Sequence, residues 1–450
     1  MLKKAILLIV LLNGLSPIWG QKYELKSIIF EGNNEISTSR LKGVTLSKES
    51  PMWFLQFLNS FSGLGAEAIY FDSSKILFDL AALEEYYRNY GYFEARFSYR
   101  YELDTSNFNA NLIYTIIEGE RSRFRSTFFY GLEGIPDQTY ASLIQDYFNA
   151  SNDWYNQATL EQNINNTINI LLNSGYLNAR FDSTIIFRDT SANSADLNIY
   201  ISKGNRITVD TVIINKKGEG ASLVNEELLR KITGIEQGSY YNQEEVKRSQ
   251  IRLFRTGLFN SVIIIPEQNE VSANNVNLNL DGNIGYMHEL SPEIIVNNQQ
   301  SAFNIGLGAN FIKKNFFGEA RKLTLSTSFG IQDIFNVDFD NLIKRFSFRD
   351  TTLLGYVDAR ATIEQPFLFG KPIFGTWENY ATIRKQKDYN ITYYGSKITF
   401  EFELPKYTFV NFLSTYYNIE QTKEVYRTNN DSLASKLVST IGVDLGKSTT

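Results

Sequence analysis

Two periodicities of apolar residues divide this chain. Before about residue 286, apolar residues recur at helical spacing between short strand-like runs, and after it they alternate with polar residues at a period of two. The alternation is clearest in four runs, which are 303–310, 357–364, 397–404 and 437–445. The first part therefore predicts mixed helices and strands, and the second predicts strands with one apolar face.

Three landmarks recur in the same order three times in the first part. They are an aromatic residue followed by a polar one, a glycine followed by an apolar or aromatic residue, and a later glycine followed by a polar residue. The copies are Phe71-Asp72, Tyr155-Asn156 and Tyr241-Asn242; Gly91-Tyr92, Gly175-Tyr176 and Gly257-Leu258; and Gly119-Glu120, Gly204-Asn205 and Gly282-Asn283. An offset of 82 to 86 residues at the first two landmarks indicates one module used three times.

The landmarks also predict the elements of the module. Asp72, Asn156 and Asn242 precede amphipathic runs and can accept a hydrogen bond from a free amide at a helix N-terminus. The following glycine can end the helix in the left-handed conformation. Flanking strand-like runs complete a β-α-α-β-β module, whose helices cover one face of a three-stranded sheet. The third long helix is expected to be about one turn shorter than the others.

These modules resemble polypeptide-transport-associated (POTRA) domains, and the whole chain resembles the outer-membrane assembly family that includes BamA and TamA. The resemblance implies an α+β part followed by an all-β part, namely three tandem POTRA modules and the N-terminal part of an antiparallel transmembrane β-barrel. The expected boundaries are 1–20 for a signal peptide, 22–121, 122–206 and 207–285 for the modules, and 286–450 for the barrel region.

The size of the barrel region leaves two alternatives. Residues 289–450 can supply roughly eight strands at about 20 residues per strand and turn. The resemblance implies a barrel about twice as large, so we expect the sequence to be truncated within it; a complete eight-stranded barrel is the alternative. A soluble β-sandwich would also alternate, but 14% aromatic residues and an export signal favour a barrel.

The N-terminus and the composition indicate an exported protein that uses no disulfides or thiolate chemistry and has no electrostatic footprint for nucleic acid. Lys3 and Lys4 precede an apolar run that is too short to span a membrane, as in a signal peptide. There is no cysteine, and the net charge of −5 with mixed signs gives no basic patch. By resemblance the location is the outer membrane of a Gram-negative-type bacterium, with the modules in the periplasm.

One segment of the first module differs from the other two. Residues 51–58, Pro-Met-Trp-Phe-Leu-Gln-Phe-Leu, lie between its first strand and its long helix. We expect this segment to be the short helix of the module, packed on its own sheet. The alternative is an amphipathic segment that faces a membrane or a partner.

The sequence contains no arrangement typical of an enzyme. His288 is the one histidine, so it lacks the partners of a catalytic triad or a histidine metal site. Glu401 and Glu403 are expected on the lumen side of a barrel strand, and the scattered glycines form no phosphate-binding loop. We therefore predict no catalytic, cofactor-binding or metal-binding residues.

The resemblance implies an assembly or translocation factor whose modules bind unfolded client proteins by strand addition and whose barrel assists their insertion. Its partners would be unfolded outer-membrane or exported clients, outer-membrane lipid and accessory periplasmic or inner-membrane assembly proteins. The alternative is a two-partner-secretion pore that exports its client, and a third class is a periplasmic scaffold.

Two sets of residues are expected to carry this function. The client-binding edge is implied to be the strand after the glycine of each module, with Glu94, Arg96 and Ser98; Asn178, Arg180 and Asp182; and Asn260 and Val262. The resemblance implies a seam between the first and last barrel strands. On the first barrel strand we expect it at Pro292, Ile294 and Val296, where the proline removes one donor from the ladder.

Overall fold

The computed structural model describes residues 22–62, 65–268, 273–299, 302–332, 354–385, 389–404, 412–426 and 435–446. The expected signal peptide lies outside these ranges. Within them, no helix combines the length and the apolar character needed to cross a membrane. The chain divides into two compact units, Met1–Leu171 with Ala179–Lys203, and Leu172–Asn178 with Gly204–Thr450.

The first module has three strands and three helices. In chain order they are β1 (Glu24–Glu31), α1 (Thr38–Val44), α2 (Trp53–Ser62), α3 (Ser74–Asn89), β2 (Arg96–Asp104) and β3 (Asn109–Ile117). β3 is central, parallel to β1 and antiparallel to β2. The core lies between this sheet and the helices α1 and α3, around residues such as Leu41, Leu83, Tyr87 and Leu112.

The second and third modules repeat this arrangement with two α-helices each. The second contains β4 (Arg123–Tyr130), α4 (Asp137–Asn149), α5 (Gln157–Asn173), β5 (Arg180–Asp189) and β6 (Ser194–Ser202). The third contains β7 (Thr208–Lys217), a 3-10 turn (Ala221–Leu223), α6 (Glu226–Thr233), α7 (Gln243–Arg255), β8 (Phe259–Gln268) and β9 (Asn275–Ile284). Their strand orders, β4-β6-β5 and β7-β9-β8, match the order of the first module.

The polar residue before each long helix forms the expected hydrogen bond. The side chains of Asp72 and Asn156 accept from the backbone N–H two residues later, at 3.0 and 2.9 Å, and Asn242 accepts from the N–H of Glu245 at 3.0 Å. The helices α3, α5 and α7 have 16, 17 and 13 residues, so the third is the shortest. Both expectations are confirmed.

The glycines after these helices have positive φ angles of 88°, 104° and 69° at Gly91, Gly175 and Gly257. A residue with a Cβ would be strained in this conformation. These glycines let the chain reverse from the helix into the next strand, as the spacing predicts.

One sequence landmark is wrong. Gly119 lies against Glu94, and Gly204 lies against Asn178, the residue at the matching position of the next module. In the third module, the glycine that lies against the matching Asn260 is Gly285, whereas the predicted Gly282 lies under the ring of Phe259. Gly282 precedes an asparagine, as Gly204 does, and this similarity explains why Gly282 was predicted in place of Gly285.

Each long helix buries one polar side chain, four residues before a buried leucine. These residues are Asp79, Thr167 and Ser249. Asp79 accepts from the backbone N–H groups of Leu46 and Ser47, and from the hydroxyl of Tyr114. Thr167 bonds to Tyr147 of α4, and Ser249 donates to the carbonyl of Thr233 of α6. The long helix of each module is therefore tied to its shorter helix, or to the loop that follows it, by a buried polar contact.

The second part of the chain forms an antiparallel sheet of eight strands in sequential order. They are β10 (His288–Gln299), β11 (Ala302–Lys313), β12 (Lys322–Gln332), β13 (Leu354–Gln365), β14 (Ile373–Lys385), β15 (Tyr389–Glu403), β16 (Phe412–Tyr426) and β17 (Lys436–Gly446). The predicted alternating runs lie in β11, β13, β15 and β17. The expectation of about eight antiparallel strands is confirmed.

The two faces of this sheet differ sharply in polarity. The register aligns one apolar row across five strands, consisting of Ile294, Leu307, Phe329, Val357 and Ile383. A second apolar row consists of Ile363, Trp377, Ile398, Tyr417 and Ile441. One position along, a polar row on the opposite face consists of Glu293, Gly308, Ser328, Asp358, Thr382, Tyr393, Thr422 and Lys436.

The first module contains a helix that the prediction did not separate. Its short helix is α1, and the segment 51–58 belongs mostly to α2, an additional element. Most of the large apolar side chains of this segment are exposed, among them Met52, Trp53 and Phe54. The expectation that this segment packs on its own sheet is therefore wrong, because its apolar face points to solvent.

Candidate functional site: strand edges, module junctions and the two-faced sheet

The strand after the glycine is an edge strand in all three modules, since β2, β5 and β8 each pair with one neighbour in the described sheets. Arg96 and Ser98 of β2 and Arg180 and Asp182 of β5 are exposed. Val262 of β8 is buried in the core of its module. Only the backbone of Val262, not its side chain, is therefore available to a partner.

Two of the predicted edge residues lie in turns instead of strands. Glu94 and Asn178 precede β2 and β5, in the reversal that follows the left-handed glycine. Glu94 accepts a hydrogen bond at 3.3 Å from Arg188 of β5, so it joins the first two modules. Asn260 alone of the three equivalent residues lies in a strand. The prediction placed the strands too early because these turns take three further residues.

Irregular pairing distinguishes the edge strands from one another. The register with the central strand shifts beside Asp182 in β5 and beside Asn260 in β8, and it also shifts in the opposite edges β1, β4 and β7. The ladder of β2 with β3 is unbroken over all nine residues. A bulge increases local twist and interrupts pairing, so β2 is the most regular of these six edges.

The first two modules are joined through an arginine that sequence reasoning missed. Arg121 donates to the carbonyl of Tyr90 at 2.8 Å, and its guanidinium lies over the rings of Tyr92 and Trp154. The backbone of Ser122 bonds on one side to Gly91 and on the other to Tyr155. Burial raises the pKa of Tyr155 to about 12.

The same pattern recurs one module later. Arg206 donates to the carbonyl of Ser174 at 2.9 Å and stacks over Tyr240 at 3.4 Å. The backbone of Ile207 bonds to Gly175 and Tyr241. A Gly-x-Arg signal at Gly119 and Gly204 was visible in the sequence. At the third junction, Met287 follows Gly285 in place of the arginine and is buried.

The third module also shares its core with the eight-stranded sheet. Ala320, in the turn between β11 and β12, is fully buried in the core of the module, and Phe367 packs against the same core. The side chain of Asn315 donates to the carbonyl of Leu223 at 2.9 Å. Both predicted turn segments, 315–318 and 365–370, thus lie in or next to turns at this end of the sheet.

Arginines of α7 pair with the end of β15. Arg252 lies 3.5 Å and Arg248 lies 3.8 Å from carboxylate oxygens of Glu403, while Arg255 pairs with Glu401 and lies over Phe374. Both glutamates lie on one side of β15, two residues apart. Both glutamates therefore pair with the third module, which their spacing alone did not show.

The predicted seam residues lie in β10, which is one of the two edges of the eight-stranded sheet; β17 is the other. Pro292, Ile294 and Val296 share the apolar face, opposite Ala309, Leu307 and Ile305 of β11. Ile294 and Val296 are exposed. Their role as a seam remains a prediction.

In the described ranges, no three His, Cys, Asp or Glu side chains come together in a way that could hold a metal ion. His288 is the first residue of β10, and its ring stacks near that of Phe311 at 6.2 Å between centroids.

Comparison with solved structures gives similarities of low identity. BamA POTRA3-5 of Haemophilus influenzae is 20% identical over 61% of this chain and 100% of that one, with a TM-score of 0.35. BamA of Haemophilus ducreyi lacking POTRA domains 1-3 is 13% identical over 72% and 58%, with a TM-score of 0.41. CdiB of Acinetobacter baumannii is 12% identical over 73% and 59%, with a TM-score of 0.42. The chain thus spans less than two thirds of the last two proteins.

The family comparison is more specific. The model of the family described as "POTRA: Surface antigen variable number repeat" matches residues 23–119, 124–204 and 214–281, which together exceed half of the chain. Each match falls on one of the three modules, so the predicted resemblance is confirmed. The chain belongs to the POTRA family of surface-antigen variable-number repeats.

Proposed function

We propose that this protein is an outer-membrane assembly or translocation factor. The observation that carries the proposal is the eight-stranded sheet, with apolar rows on one face and polar rows on the other, attached to three POTRA modules. In this proposal the apolar face contacts lipid, the polar face lines an aqueous space, and the modules bind unfolded clients in the periplasm.

The physical argument for the lipid-facing side is the cost of exposing the apolar rows to water. Phe329, Trp377 and Ile383 are about half exposed, and Ile294 and Ile441 are more exposed still. Burial in hydrocarbon stabilises such residues by about 25 cal/mol per Å² of apolar surface. On the opposite face, Arg360 forms an ion pair with Glu378 at 2.8 Å.

The membrane proposal can be tested with neighbouring residues of one strand. Phe329 and Ser328 of β12 belong to the apolar and the polar row, and the chain has no native cysteine. Phe329→Cys and Ser328→Cys, each labelled with a fluorophore in the reconstituted full-length chain, should differ. Brominated lipid should quench the label at 329 several-fold more strongly than the label at 328. Equal quenching would contradict a two-faced membrane sheet.

Within the modules, β2 is the edge that we propose for client binding. Its nine residues keep an unbroken register, and all but one are exposed. Strand addition relies on backbone hydrogen bonds, so a regular edge accepts an extended segment of almost any sequence. The five bulged edges are less suited to this pairing.

Photo-crosslinking distinguishes β2 from a bulged edge of similar exposure. A photoreactive residue at Tyr99 of β2 should form adducts with an unfolded outer-membrane protein, and one at Ile185 of β5 should form several-fold fewer. Tyr99 and Ile185 are 43% and 46% exposed, so accessibility is matched. Equal yields at the two positions would refute the preference for β2.

A secretion pore of the two-partner type is the second candidate, because the polar face of the sheet would equally suit a conduit. The fate of the client separates the two functions. An insertion factor leaves its client in the membrane of a proteoliposome, whereas a secretion pore releases it on the other side.

A further inference from the structure

Helix α2 presents its apolar side to solvent and its polar side to the protein. Met52 and Trp53 are 76% and 74% exposed, and Phe54 is 52% exposed. Gln56, three residues after Trp53 on the same helix, points inward. Its side-chain amide donates to Glu24 at 2.6 Å, to Ser50 at 3.3 Å and to the carbonyl of Pro51 at 2.8 Å.

Gly65 and Ala66 contact α2 and hold the helix in this orientation. The N–H of Ala66 donates to the carbonyl of Leu55 at 3.1 Å. Gly65 lies so close to the helix that an added Cβ would come within 1.9 Å of the same carbonyl. Together with the contacts of Gln56, these contacts place the apolar side outward in the folded module.

The position and composition of α2 set it apart from the module fold. The second and third modules have no helix between their short and long helices. From Pro51 to Ala66 there is no charged side chain, although 21% of the whole chain is charged. The inserted segment is therefore neutral as well as apolar.

The size of the patch suggests a binding surface. The exposed parts of Trp53 and Phe54 amount to roughly 250 Å², taking about 200 Å² for an aromatic side chain. With Met52 added, the patch reaches the range of about 300–600 Å² that is often functional on soluble domains. Trp, Phe and Leu are the residues that interfacial helices bury at the boundary between headgroups and acyl chains.

We propose that α2 docks the first module onto the surface of a zwitterionic phospholipid bilayer. The patch and such a surface match in charge, because neither carries a net charge. Interfaces between proteins usually have a polar, charged rim that fixes the orientation of the partner. The segment from Pro51 to Ala66 contains no charged residue that could form such a rim. The inference rests on the proposed membrane function, which places a bilayer beside the chain.

A single label tests this docking in the full-length chain. Met52→Cys, labelled with an environment-sensitive fluorophore, is compared with Leu77→Cys on α3, an apolar residue of similar exposure in the same module. Each protein is reconstituted in nanodiscs and mixed with phosphatidylcholine vesicles. Brominated lipid is placed first in the vesicles only and then in the nanodiscs only.

We expect the label at 52, and not that at 77, to be quenched at least twofold by one of the two lipid pools, with no dependence on salt. Quenching from the vesicles indicates docking on a second bilayer, and quenching from the nanodisc indicates docking on the bilayer that holds the sheet; either supports the proposal. Trp53→Glu should abolish the difference between the two labels.

Two results would overturn the inference. In the first, the label at 52 shows the emission of a fluorophore in water with both lipid pools. In the second, its emission indicates an apolar environment but brominated lipid does not quench it, as expected for docking to protein. Failure of the chain to enter nanodiscs would count against the membrane sheet instead. The label is then measured with the protein in amphipathic polymer plus vesicles, where the same two results would still overturn the docking.

Discussion

Removal of the Asp79 carboxylate should destabilise the first module far more than the matching changes destabilise the other two. Asp79 is fully buried and accepts three hydrogen bonds, at 2.6 Å from Leu46, 3.2 Å from Ser47 and 2.6 Å from Tyr114. Burial and this carboxylate raise the pKa of Tyr114. Asp79→Ala removes the acceptor of two backbone amides and of the Tyr114 hydroxyl.

The magnitude follows from the number and type of the bonds. Each unsatisfied buried donor costs about 1–3 kcal/mol. Some relaxation of the loop at 46–47 reduces the total, so we expect about 3 kcal/mol. Thr167→Ala and Ser249→Ala remove neutral hydroxyls, for which about 1 kcal/mol is expected.

Hydrogen exchange of the full-length chain measures these costs module by module. Asp79→Ala should accelerate exchange of the protected amides of β1, β3 and α3 by about a hundredfold, and leave β6 and β9 unchanged. Thr167→Ala should accelerate exchange in the second module by about fivefold. Equal effects of Asp79→Ala and Thr167→Ala would refute the role given to the carboxylate.

Three further predictions concern backbone strain, pH and the sheet edge. Gly91→Ala places a Cβ in a left-handed conformation and should cost about 1–2 kcal/mol by hydrogen exchange, whereas Gly43→Ala in open space within α1 should stabilise the module slightly. The hydrogen bonds from Arg125 lower the pKa of Asp196 in the folded protein. These bonds therefore stabilise the second module fully at a pH above the pKa of this carboxyl in the unfolded chain. The stabilisation is lost as the pH falls through the pKa of Asp196 in the folded protein. A photoreactive group at Ile294 should form adducts with a nascent barrel protein.

Each of these predictions has an outcome that contradicts it. Equal stability of the Gly91 and Gly43 variants would show that the left-handed position tolerates a side chain. In Arg125→Gln, the thermal midpoint of the second module should depend less on pH in the acidic range, and an unchanged profile would exclude the pairing as its cause. Complete absence of adducts at Ile294 would remove β10 as a seam.

The sequence predicted the fold where local chemistry repeats. Asp72, Asn156 and Asn242 cap helices, Gly91, Gly175 and Gly257 reverse the chain, and alternation of period two indicates the strands of the large sheet. These features depend on residues close together in the chain, so a pattern search can find them.

What the sequence did not predict depends on contacts between distant residues. The bulges beside Asp182 and Asn260 are set by how three strands twist together, and no local motif marks them. The exposure of Trp53 depends on Gln56 reaching Glu24, so composition alone left its direction open. Arg121 and Arg206 do occupy equivalent positions in the sequence. That they join neighbouring modules is visible only from the aromatic rings that they contact.

The burial of Ala320 has a consequence for the order in which the protein forms. In the described ranges, the buried residues of the first module's core lie between Leu25 and Ile116. The core of the third begins at Ile207 and is completed by Ala320, from a hairpin synthesised after the module itself. The core of the third module is therefore complete only once the β11–β12 hairpin has formed. Completion of this core is thus coupled to the first steps of sheet assembly.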